Sequence, residues 1–119
     1  MTRKTPLLPI AVRHILAQLG KDIQRARRRR RLTTIMVAER AQVSRPTLLR
    51  VERGDPAVSL GVYGTVLWVL GLGDRLGQVA ASETDLVGLA LEEEQLPLRV
   101  SSRRPHGSPE SMRRMGEND

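Results

Sequence analysis

The sequence predicts an all-α fold, and three observations carry that prediction. Apolar residues recur three and four apart through residues 15–26, 37–51 and 60–70, a Ser or Thr stands just before three helical runs, and glycines follow the ends of two. With 119 residues the chain is long enough for one small domain with extensions at either end.

Residues 1–13 are expected to form an N-terminal arm, of which 1–9 read as flexible, and Pro9 is placed to open a helix running to about Arg30. Ile15, Leu19, Ile23 and Ala26 make one apolar stripe on that helix, with Gly20 expected to divide it into two pieces. The stretch Leu32 to Gly54 then fits two short helices joined by a tight turn. Thr33 caps the first, Val37, Ala38 and Ala41 give it a core face, and Val43 sits in the turn. Ser44 caps the second, whose core face is Leu48 and Val51, and Gly54 closes it. Pro46 does not break this helix, because in the first turn its missing N–H has no helical partner to lose.

Asp55 and Pro56 form a loop, after which Ser59 caps a helix over about 60–70 with Leu60, Tyr63, Val66, Leu67 and Leu70 on its core side. Gly71 and Gly73 end it, and a shorter helix runs from Asp74 to about Ala80. Ser82 with Asp85 three residues on resembles a capping box, so a last helix is expected from about Glu83 to Gln95, stopping before Pro97. Leu96, Leu98 and Val100 alternate as a short strand would, with an unstructured linker as the alternative. Residues 101–119 are rich in Ser, Pro, Gly and charge and read as a disordered tail. The domain organisation is therefore an arm over 1–13, a domain over 14–81, a helix and short strand over 82–100, and the tail.

At about 100° per residue, the helix after Ser44 turns Arg45, Pro46, Leu49, Arg50 and Arg53 away from Leu48 and Val51. Three guanidinium groups with two apolar residues on one solvated face suit a DNA major groove. Arg takes guanine O6 and N7 bidentately, and an apolar side chain meets the thymine methyl. The alternative is an ordinary solvated face carrying a single surface leucine.

Charge supports the first account. The formal net charge is +7, and it is unevenly placed: residues 1–60 carry 14 Lys and Arg against four Asp and Glu, residues 61–119 six against nine. A basic first half is the footprint of phosphate binding, while an acidic second half is suited to facing away from DNA or toward another partner. The run Arg27 to Arg31 is expected to supply phosphate contacts, Arg31 among them, although cations at a helix C-terminus also favour its dipole.

Other classes find little support. There is no cysteine, which removes disulfides and thiolate metal sites and suits a reducing cytoplasm. His14 and His106 belong to no ligand-spaced cluster, so neither a metal nor another cofactor is expected. No phosphate loop, nucleophile-base pair or paired catalytic carboxylate signature occurs, which argues against an enzyme. Glu92 to Glu94 reads as a solvated helix end. LLPIAV is too short for a signal segment, and no run approaches membrane-spanning length.

Residues 19–79 resemble the Xre family (Cro and phage-repressor type) of helix-turn-helix domains through LGKDIQRARRRRRLT, VAERAQVSRPTLLRVERG and the helix beginning SLGVYGTVLWVLGL. The resemblance implies five short helices with the third as recognition helix, and operator binding as a homodimer. It implies base contacts from Arg45, Pro46, Leu49 and Arg50, and phosphate contacts from Thr34, Thr47 and Arg53. Two positions depart from the family pattern. Thr34 stands where Gln is frequent, and Arg31 stands where Gly commonly ends the first helix.

Trp68 falls outside the apolar stripe of its helix, with Val62, Val69 and Leu72, and is expected at a dimer or partner interface that Leu72, Leu76 and Val79 extend. Burial by the chain's own last helix is the alternative. The chain is also similar to HipB-type antitoxins, through the compact Xre domain, YGTVLWVLGLGDRLGQVA and LALEEEQLP followed by an arginine-bearing tail. That similarity implies a sequence-specific antitoxin that represses its own operon and neutralises a HipA-type kinase toxin. The alternative is a stand-alone repressor of phage type.

Overall fold

The structure, a computed structural model, describes residues 7–103. It contains α1 (Ile10–Arg29), α2 (Thr34–Ala41), α3 (Arg45–Glu52), α4 (Leu60–Val69), α5 (Gly73–Gly77), a 3-10 turn at Ser82–Thr84 and α6 (Leu86–Arg103). The described residues are all-α, without a strand. The chain divides after Val79 into two compact units, α1 to α5 in the first and α6 in the second.

Local chemistry explains the starts and stops in the first unit. The hydroxyls of Thr33, Ser44 and Ser59 accept the N–H of Met36, Thr47 and Val62 at 3.1, 3.2 and 3.1 Å, each satisfying a first-turn donor. Helices α1 to α4 all close on one pattern. A residue in the left-handed region (Arg31, Gln42, Gly54, Gly71) is followed by one whose N–H returns to a carbonyl five residues back, as from Leu32 to Arg27 and from Leu72 to Leu67. Glycine does this without strain, whereas Arg31 at φ 56° and Gln42 at φ 58° carry a Cβ into that region. The departure from glycine at position 31 therefore leaves the turn's geometry in place and adds a conformational cost.

Ile23, Val37, Leu48, Val51 and Val66 are the largest fully buried side chains, drawn from α1, α2, α3 and α4, so these helices share one core. Expectations about the first unit are corrected at three single residues, and α5, Gly73–Gly77, is shorter than the helix expected from Asp74 to about Ala80. Gly20 does not divide α1. A Cβ there would lie 2.5 Å from the Gly54 nitrogen and 2.6 Å from the Glu52 oxygen, so glycine is needed for the C-terminal end of α3 to press against α1. Ile15 is 64% exposed, because the buried side of α1 runs through Val12, Leu16 and Gly20 before reaching Ile23. Leu60 is 69% exposed, as the first residue of α4, while Tyr63, Val66, Leu67 and Leu70 are buried as expected.

In the second unit, Asp85 rather than Ser82 caps the last helix, its carboxylate accepting the Gly88 N–H at 3.0 Å. The residues from Ser82 take a 3-10 turn instead, and α6 begins at Leu86. It also passes Pro97 and continues to Arg103, so Leu96 to Val100 is helical and neither strand nor linker. A proline removes one helical hydrogen bond, which disfavours a helix without compelling its end. Helix α1 likewise claims Ile10 to Arg13 from the expected arm. Of the expected tail, residues 104–119 lie outside the described residues.

Candidate nucleic-acid interface

Helix α3 is divided lengthwise between core and surface. Leu48, Val51 and Glu52 are buried, while Arg45, Pro46, Arg50 and Arg53 are exposed and Leu49 is half-buried on the other side. The five residues expected to face outward thus share one arc. Thr34 and Thr47, expected to touch phosphate, are half-buried at the helix starts beside it. Arg45 donates from Nε to Thr34 Oγ1 at 3.0 Å, joining the start of α3 to the start of α2. The Ser44 hydroxyl donates to Thr47 Oγ1 at 2.9 Å. Two helix N-termini, each presenting partial positive charge, therefore flank the arginines.

What fixes the arc is on the back of the helix. Arg27 of α1 pairs with Glu52 of α3 in a buried two-pronged bridge, Nε to Oε2 at 2.6 Å and Nη2 to Oε1 at 3.0 Å, while Nη1 donates to the Leu32 carbonyl at 3.0 Å. The Gln24 side-chain amide reaches the same carboxylate at 3.4 Å. Arg27 is therefore withdrawn from the run expected to meet phosphate, a correction that leaves Arg28 to Arg31 exposed. Neither partner was singled out from sequence. The available signal was spacing: Arg27 follows Ile23 by four residues and Glu52 follows Leu48 by four, so both lie on core faces.

The Tyr63 hydroxyl donates to the Asp55 carbonyl at 2.7 Å and so pins the loop after α3 to α4. Burial, with a smaller contribution from the Asp55 charge, pushes its pKa up to about 12. Among the described residues no cluster of His, Asp or Glu is arranged to hold a metal ion, and no helix is long and apolar enough to cross a membrane.

The expected interface residues fall into two places. Leu72, Leu76 and Val79 line an apolar groove of about 500 Å³, floored by Leu19, Ile23 and Leu67 of α1 and α4. Trp68 lies outside it and is 69% exposed, so the core of the first unit does not take it in. Val69, Leu72 and Leu76 are half-buried and also pack against that core, which gives them an intrasubunit role as well.

A capped helix, a tight left-handed turn and a second helix offering an arginine-rich arc define a DNA-binding module. Residues 18–81, more than half of the chain, match the helix-turn-helix domain family, and the chain belongs to it, within the Xre/Cro-like superfamily. No curated protein matches the chain.

Proposed function

We propose that this chain is a transcription regulator that binds an inverted-repeat operator as a homodimer, each subunit placing α3 in one major groove. The observation that carries the proposal is the arc of Arg45, Pro46, Leu49, Arg50 and Arg53, held rigidly by the bridge behind it. In this reading Arg45, Pro46, Leu49 and Arg50 meet base edges, and Thr34, Thr47, Arg53 and Arg31 meet phosphates. The half-sites lie one DNA turn apart, about 34–36 Å. Selection from a randomised duplex pool tests this: an enriched inverted repeat is expected, and recovery of no preferred sequence would contradict it.

Within that class, the chain acts as an antitoxin that represses its own operon and neutralises a HipA-type kinase toxin in the cytoplasm. The support is apolar surface beyond what DNA binding needs, namely Trp68 on α4, which is 69% exposed. A stand-alone repressor is the competing reading, and the groove bearing Leu72, Leu76 and Val79 favours it to the extent that self-association alone fills that groove. Affinity purification from the native cell after nuclease treatment separates the two. A stoichiometric kinase is expected for the antitoxin, whereas a homodimer alone leaves the stand-alone repressor.

A further inference from the structure

The groove of the first unit and the first ten residues of α6 match in length and are opposite in charge. The groove is apolar along its floor, and its rim carries the exposed guanidinium groups of Arg25, Arg29 and Arg75. The one carboxylate on the rim, Asp22, already accepts a hydrogen bond from Gln18 at 2.9 Å. Helix α6 presents an opposite pattern. Leu86, Val87 and Leu91 are 73, 72 and 54% exposed in the single chain, and Leu89 and Ala90 lie with them on one broad arc. One turn further on, that same arc carries Glu93 and Glu94. The segment Leu86 to Gln95 spans about 15 Å as a helix, matching the stretch of α1 from Leu19 to Arg29 along the groove.

We propose that the groove receives α6 of a second copy of this chain, so that two subunits exchange their last helices reciprocally. The proposal rests on the homodimer reading above and gives it a mechanism. A reciprocal exchange buries both grooves and both apolar helix faces at once, and places Glu93 and Glu94 of each subunit against the guanidinium rim of the other. It also gives Glu93 and Glu94 a role on an otherwise apolar arc, where they disfavour docking against a second acidic helix.

The test uses the full chain and two charge-reversed variants, R25E/R75E and E93R/E94R, all at exposed positions, with circular dichroism confirming that each stays folded. Sedimentation equilibrium is expected to show self-association weakened about tenfold or more in each variant alone. An equimolar mixture is expected to regain the wild-type dimer, because in the heterodimer both groove-helix pairs again join opposite charges. If each variant weakens and mixing restores nothing, the helix does not exchange and the proposal is overturned. If both variants dimerise as wild type does, the groove is not the interface, and the proposal fails while the homodimer reading survives. A wild-type chain that stays monomeric overturns both.

Discussion

Helix α3 and the chain beyond it treat apolar surface in opposite ways. In α3 the apolar side chains pointing inward are fully buried, and the outward arc mixes arginines with only Pro46 and Leu49, so the surface it offers suits an anion. From α4 onward Trp68 and Val79 of the first unit, and Leu86, Val87 and Leu91 of the second, remain outward. The difference teaches where partners of each kind belong: charge-rich surface for nucleic acid, surplus apolar surface for protein.

The comparison is broken most forcefully from behind the DNA-facing arc. Arg27→Ala or Glu52→Ala leaves a buried charge without its partner and is expected to cost about 3–5 kcal/mol in urea unfolding. A loss well under 1 kcal/mol would mean that the bridge does not anchor α3. Replacing both partners with apolar residues of similar volume is expected to recover much of that loss while leaving DNA binding dependent on the arc alone.

Next in size are Arg45→Ala and Arg50→Ala, each expected to weaken binding to a selected duplex by about 1–3 kcal/mol and to relax preference at one position, with unchanged stability. Fluorescence anisotropy against a panel of single-base variants reads both effects. Trp68→Ala sharpens the contrast from the other side. Because Trp68 is outside both the core and the groove, the monomer is expected to keep its helicity and unfolding midpoint while losing partner binding. A variant that unfolds would place Trp68 in the intrasubunit core.

Arg31→Gly separates the two costs that meet at one residue. It is expected to gain about 1 kcal/mol of stability by relieving the left-handed turn, and to lower the salt slope of DNA binding by about one. The effect confined to the narrowest conditions concerns Tyr63. Its folded pKa lies above its unfolded value of 10.0, so the unfolded chain loses its proton first as pH rises. Its stabilising contribution is complete below about pH 10 and is lost as pH rises toward 12; Tyr63→Phe is expected to flatten the unfolding midpoint across that window.

Much of the first unit was legible in the sequence because its signals are local. Caps at Thr33, Ser44 and Ser59 and glycines at 54 and 71 act on their own turn of chain, and their geometry follows from residue type. Features that depend on what arrives from elsewhere were not legible. Five consecutive arginines look equivalent until α3 brings Glu52 to Arg27, and Gly20 looks like an interruption until the end of α3 presses against it. At α6, two capping residues competed three positions apart, and Asp85 prevailed. The outward arc of α3 was legible because a helical period locates a face even where it cannot say what touches it.

The most direct measurement of the central claim is binding of the wild-type chain and its Arg50→Ala variant to the duplex recovered by selection and to a scrambled one, across a salt series. The account predicts an inverted-repeat site bound far more tightly than the scrambled duplex, with Arg50→Ala losing affinity for the site and little for the scramble. Equal affinity of the two proteins for the selected site would contradict it, and α3 would not be the helix that reads DNA.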